Sequence, residues 1–221
     1  MASTILFVAM IIFAAILLFT VSLTSTVGAA DIIESSLYNI DTKARSAHRY
    51  LVIAAALGWF SLIVLIIIII IAMFAGAFTM VEVSETLLTA PNPTRNDLLA
   101  VYQVDKEISG GYTTRLMLLI VFVMITIVTF VIAVLAVVAA IDISSIGQLD
   151  GKAGSARTAS IIASISGMVS FIFMVIAVIT YSNVRSGYTQ QVKDLGTFER
   201  RAEMQLGTIP TGIPTPITII R

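Results

Sequence analysis

The sequence contains no cysteine, a single histidine and few charges. Without cysteine there is neither a disulfide framework nor a thiolate metal site. One histidine, His48, makes no metal site on its own. Charged residues are 12% of the chain, where soluble domains carry about 25%. None falls in 3–30, 50–80, 116–141 or 159–181. Thirteen basic residues balance thirteen acidic ones, and no basic block exists, so nothing points to nucleic acid. Walker, dinucleotide-glycine, HExxH and GxSxG patterns are all missing. The one Asn-x-Thr run, Asn92-Pro93-Thr94, has proline in the position that forbids glycosylation. These absences leave no catalytic constellation, no cofactor site and no metal site, and the expectation is a protein that is not an enzyme.

What the chain does have is apolar length. Of its 221 residues 58% are hydrophobic, with a mean hydropathy of +1.02. A helix needs about 20 apolar residues to cross a bilayer core, and the four uncharged stretches all exceed that. The first is longer than a signal-peptide core and no basic residue precedes it, so it reads as a span. Charges are costly in lipid and mark proton relays and ion pathways. Their absence from the spans argues against a pump or coupled transporter.

The segment 35–58 occurs twice. Ser35, Ser36, Asp41, Lys43, Ala44, Ser46, Ala47, Ile53, Ala54 and Gly58 recur 109 residues later as Ser144, Ser145, Asp150, Lys152, Ala153, Ser155, Ala156, Ile162, Ala163 and Gly167. This is an internal duplication. The expected fold is therefore all-α: a polytopic membrane protein whose four transmembrane helices form two tandemly duplicated helical hairpins extending beyond the bilayer. Residues 1–80 form the first hairpin, and 81–115 a connecting loop with a short amphipathic helix. Residues 116–181 form the second hairpin, and 182–221 a tail that is helical, then extended. Consecutive hairpins share one orientation, so the copies relate by an axis along the membrane normal.

Within this frame several residues stand out. Asp41 and Asp150 precede the second helix of each hairpin, where a carboxylate caps free backbone N–H groups. Ala54 with Gly58, and Ala163 with Gly167, make small-xxx-small pairs that let helices approach closely in lipid. Thr20, Ser22, Thr24, Ser25 and Thr26 on span one are tolerated because a hydroxyl can bond the carbonyl one turn back, and Ser160, Ser164, Ser166 and Ser170 add hydroxyls to the helix–helix seam on span four. Ile66 to Ile71 offer no polar face and are expected to meet lipid. The first helix is expected to reach about Tyr38. His48 corresponds to Arg157 in the second copy, so the position suits a basic or interfacial side chain.

The long connection contains Pro91 and Pro93, which break any helix. From Thr94 or Asn96 a short helix runs to about Ile108 and ends at Gly110 and Gly111. It lies either on the membrane surface or against the protein's own hairpins. In the tail, Gln190 to Leu206 suits a solvated helix. Beyond it Ile209, Pro210, Pro214, Pro216, Ile217 and Ile219 suit either an extended arm that binds a partner or a disordered end.

The connector residues 38–51, running into Ala54, Gly58 and Trp59, resemble four-span membrane proteins of large icosahedral DNA viruses, as does the second copy. The resemblance implies a minor capsid or assembly protein of an internal virion membrane. The expected partners are the lipid bilayer and other proteins of a multi-subunit assembly, with the function of anchoring or scaffolding. The alternative is a small oligomeric channel or pore, built around the hydroxyl-bearing faces of spans one and four.

Overall fold

A computed structural model of the chain describes residues 2–74 and 95–206, with side chains over 6–71, 115–183 and at some positions from 186 to 200. Among the described residues all regular structure is helical. It consists of α1 (Ala2–Glu34), a 3-10 turn (Ser36–Asn39), α2 (Thr42–Phe74), α3 (Arg95–Ser144) and α4 (Gly151–Leu206). Four stretches are long and apolar enough to cross a membrane: Leu6–Glu34, Thr42–Ile71, Arg115–Ser144 and Gly151–Asn183. The protein is a multi-pass membrane protein with four transmembrane helices.

The helices alternate in direction and pack in a square, with α1 on α2, α2 on α3, α3 on α4 and α4 back on α1. Most of each span's surface faces outward, and it is apolar. Phe13, Ile16, Phe60, Ile63, Ile127 and Ile172 are all exposed. In water such a surface would aggregate; in a bilayer it is simply solvated by lipid. Inside, three layers follow one another along the bundle. Phe7, Phe122 and Tyr181 fill the end remote from the connectors, with Phe7 stacked on Tyr181 at 4.9 Å and edge-on to Phe122 at 5.5 Å. Leu18, Val21, Ala54, Ile132, Ala136 and Ala163 fill the middle. Ala29, Ile32, Ala47, Leu51, Ala139, Ile143 and Ala156 close the connector end. Lipid tails are as apolar as leucine, so this interior is held by close packing and not by a hydrophobic drive. That explains why alanine, glycine and serine dominate it.

The duplication is visible in burial, but its register changes along the chain. Ala44, Ala47, Ala54 and Leu65 of α2 match Ala153, Ala156, Ala163 and Met174 of α4, a separation of 109. In α1 and α3 the buried pairs are Phe7 with Leu118, Ile11 with Phe122, Val21 with Ile132 and Ile32 with Ile143, a separation of 111. At 109, buried Val21 and Ser22 would instead match exposed Phe130 and Val131. The second connector is thus two residues shorter than the first. Ser144 and Ser145, which align with Ser35 and Ser36 in sequence, are not their structural equivalents. Ser144 ends α3, whereas Ser35 already caps the 3-10 turn by accepting Leu37 N–H at 3.1 Å.

Four expectations need correction. The first helix stops at Glu34 and not near Tyr38, because Ser35 takes an extended conformation and caps a separate turn. Gly110 and Gly111 do not end a helix. α3 runs unbroken from Arg95 to Ser144, so 95–115 belongs to the second hairpin and not to a loop. Two glycines cost a helix only about 1 kcal/mol each against alanine, too little to break so long a helix. Likewise no boundary falls near 182, since α4 is continuous to Leu206. Of the six isoleucines 66–71, Ile68 and Ile69 pack against the Phe7 layer, because a six-residue helical run spans all faces. The proline-containing stretch 75–94 and the residues proposed for the arm, Ile209 to Ile219, lie outside the described residues.

Candidate functional site

The polar chemistry of the described residues gathers at the connector end, where the two hairpins meet. Asp150 immediately precedes α4. Its Oδ1 accepts Ala153 N–H at 2.7 Å, the geometry of a helix N-cap. Its Oδ2 reaches across to the first hairpin and accepts Ser36 N–H at 2.9 Å and the hydroxyls of Ser35 and Ser36, each at 2.8 Å. One carboxylate therefore caps its own helix and the 3-10 turn of the other hairpin. These donors all favour its charged form, led by the Ala153 N–H and followed by the two serine hydroxyls. The carboxyl consequently titrates at about 2 instead of 3.8.

Within the first turns of α4, Lys152 Nζ lies 2.7 Å from Glu34 Oε2 and 3.3 Å from Asp31 Oδ1, and Ser155 donates to Asp31 Oδ2 at 2.6 Å. Together with Asp150, these residues form a latch between the end of the first hairpin's α1 and the start of the second hairpin's α4.

The latch has no twin. Asp41 accepts Lys43 N–H at 2.7 Å, next to the start of α2, and reaches no residue of the second hairpin among the described contacts. The structural counterparts of Ser35 and Ser36 are Ile146 and Gly147, which have no hydroxyl to offer. Asp142, the counterpart of Asp31, makes no ion pair with Lys43, the counterpart of Lys152. The shorter second connector removes the 3-10 turn that Asp41 would hold.

His48 lies within the first hairpin. Its Nδ1 meets the Ala29 carbonyl at 3.0 Å, and a carbonyl only accepts, so this nitrogen carries a proton. The ring meets Tyr38 edge-on at 5.2 Å. Arg157 plays the parallel part in the second hairpin, its Nε donating to Ser144 Oγ at 3.0 Å.

The small-residue pairs sit on the inner face. Ala54 and Ala163 are fully buried in one layer. Gly58 lies directly against Ser22 of α1, and a Cβ there would overlap the Ser22 hydroxyl. A Cβ on Gly167 would stand 3.1 Å from Ala133 Cα. Each glycine thus sits at a close approach of the two helices of its own hairpin. Sequence reasoning did not single out Gly28, which plays a third such part: a Cβ there would meet Leu51 at 3.2 Å and Ala159 at 3.4 Å.

Most span hydroxyls bond back within their own helix as expected, but the fully buried Ser25 hydroxyl has no hydrogen-bond partner among the described residues. Thr20, Ser22, Thr24 and Thr26 donate to the carbonyls of Ile16, Leu18, Thr20 and Ser22, and Ser164 to that of Ser160. Thr126 and Thr129 on α3 do the same towards Phe122 and Ile125. Ser170 is different, donating across the bundle to the Ala14 carbonyl of α1 at 3.1 Å. Ser22, Ser25, Ser160 and Ser170 are fully buried within the single chain. They are covered by the chain's own helices.

Among the described residues, no group of three or more His, Asp and Glu side chains is placed to hold a metal ion. Comparison with protein-family models, with curated proteins and with solved structures finds no match to this chain.

Proposed function

We propose that the protein is a structural membrane anchor that presents a helical platform to a larger assembly. The observation that carries this reading is the continuity of α3 and α4 beyond their spans. α3 begins 20 residues before Arg115 and α4 ends 23 residues after Asn183. At 1.5 Å per residue these extensions project about 30–35 Å. They carry charge, with Asp97, Asp105, Lys106 and Glu107 on one and Arg185, Lys193, Asp194, Arg200 and Arg201 on the other. A helix that leaves the bilayer without a break is rigid and holds a docking surface at a fixed height. At the opposite end the latch ties the hairpins together, so a load on one is shared by both. The resemblance of the connectors to internal-membrane proteins of icosahedral viruses suggests a virion membrane as the setting and a capsid shell as the partner. The residues from Ile209 to Ile219 suit the arm that makes the tie.

The test is co-purification of the full chain in mild detergent, with mass spectrometry of whatever accompanies it. A stoichiometric neighbour that is lost when residues 208–221 are deleted supports the anchor and its arm. A bare homo-oligomer that conducts ions after reconstitution overturns the reading in favour of a pore.

A further inference from the structure

On its outer side, the second hairpin has a groove of about 430 Å³ between α3 and α4 at the connector end of the spans. Val137, Ala140 and Ile141 form one wall, and Ile161 and Ile165 the other. Ser144 and Ser145 lie at its connector end. The groove has a polarity gradient along its length. On α4, Arg157, Ile161 and Ile165 follow at four-residue intervals and share one face. On antiparallel α3, Val137 and Ile141 do the same in the opposite sense, and Ser145 follows in the turn directly after the helix. The cation and the hydroxyls therefore stand at the same end, and the branched aliphatics run from there about 10 Å towards the bilayer centre. Ser164 also lines the groove, but its hydroxyl is spent on the Ser160 carbonyl, so the deep part is apolar in effect.

Arg157 is held at the polar end by its bond to Ser144 and forms no ion pair with a carboxylate of the described residues. We infer that this groove is a phospholipid site: an acyl chain lies between Ile141 and Ile165, and the phosphodiester sits on the Arg157 guanidinium beside Ser144 and Ser145. Two features favour a lipid over other occupants. The groove opens sideways from spans whose surroundings are hydrocarbon, so lipid is what meets it. Its order, with cation and hydroxyls at headgroup depth and aliphatics below, is the order of a phospholipid. A guanidinium pairs with a phosphate through two N–H groups, an interaction that snorkelling to water alone would not need. In the first hairpin, His48 takes the place of Arg157 and turns inward to the Ala29 carbonyl, so the site belongs to the second copy alone.

The experiment is native mass spectrometry of the full chain extracted from its membrane into mild detergent, counting retained phospholipid per protein. Arg157→Gln removes the cation and Ala140→Phe fills the groove. Ile179→Phe, on an exposed face outside it, is the control. The wild type and the control are expected to retain one phospholipid that Arg157→Gln holds about tenfold less well, the effect of losing one charge-assisted contact, and that Ala140→Phe loses by occupying the space of the acyl chain. Helicity measured by circular dichroism confirms that each variant is folded, and Ala140→Phe tests the groove even if Arg157→Gln loosens the hairpin. Equal retention by all four proteins overturns the proposal. So does displacement of the lipid by diacylglycerol as readily as by phospholipid, because the phosphate would then contribute nothing. Conversion of a dimer to a monomer by Ala140→Phe also overturns it, by assigning the groove to a second copy of the chain.

Discussion

Asp150 and Ser35 lie 115 residues apart in the chain, yet the Asp150 carboxylate accepts the Ser35 hydroxyl at 2.8 Å. This contact joins the start of α4 to the turn after α1 and so fixes one hairpin against the other. It also makes the molecule's two-fold repeat unequal, because Asp41 has no matching partner.

The Asp150 contact sets a pH dependence. Its carboxyl titrates at about 2 in the folded protein instead of 3.8. A depressed carboxylate stabilises the fold fully above about pH 4, and that contribution is lost as pH falls through about 2. In thermal melts of detergent-solubilised protein between pH 5 and pH 2, the wild type is expected to lose more stability than Asp150→Asn. Parallel curves for the two proteins would remove the latch from this role.

The ion pairs predict an asymmetry between two lysines that occupy the same place in the repeat. Lys152→Met is expected to lower the melting temperature at low salt, with the difference shrinking in high salt as the pair is screened. Lys43→Met, in the other hairpin, is expected to change little. Equal effects from the two would mean that the repeat is symmetric in solution.

Gly58 and Gly167 should tolerate alanine differently. Gly58→Ala drives a methyl into the Ser22 hydroxyl, and overpacking of this kind costs about 1–3 kcal/mol. Most of that cost should vanish in a Ser22→Ala background, since the nearest atom is then gone. Gly167→Ala meets the Ala133 backbone at 3.1 Å, and no truncation of a side chain relieves a backbone contact. Unfolding of each single and double variant in detergent checks the pair.

Among the buried hydroxyls, Ser170 is expected to matter more than Thr129. Ser170→Ala deletes a bond between helices, worth about 0.6 kcal/mol on average in membrane proteins. Thr129→Val deletes a bond to a carbonyl of its own helix and keeps the volume, so its effect should be smaller. Denaturant titration of the two variants gives the comparison.

Much of the fold was legible in the chain. The four spans follow from where charge is absent, and the cost of a charge in hydrocarbon leaves few other readings. Ala54, Gly58, Ala163 and Gly167 were legible as inner-face residues because the repeat preserves them at helical spacing. The hydroxyl-to-carbonyl bonds of Thr20, Ser22, Thr24 and Thr26 were legible too, being local. Gly110 and Gly111 misled because a glycine pair resembles a stop, and only the continuation of the helix on both sides shows that it is not one. Gly28 carried no signal, since its neighbours Leu51 and Ala159 come from two other helices.

By itself, then, the sequence determined that the chain crosses a membrane four times and that its second and fourth helices are copies. Both follow from local properties, apolar length and residue identity at fixed spacing. Tertiary structure decided the rest. An ungapped alignment pairs Ser144 and Ser145 with Ser35 and Ser36. The packed bundle shows α1 and α3 two residues out of that register, because burial depends on how each helix is rotated about its axis. A two-residue change turns a helix by about 200° and so exchanges inner and outer faces. The Asp150 contacts to Ser35 and Ser36 have no twin because of that shift, which puts Ile146 and Gly147 where the first connector has the two serines. These contacts depend on neighbours more than a hundred residues away, and no local pattern encodes them.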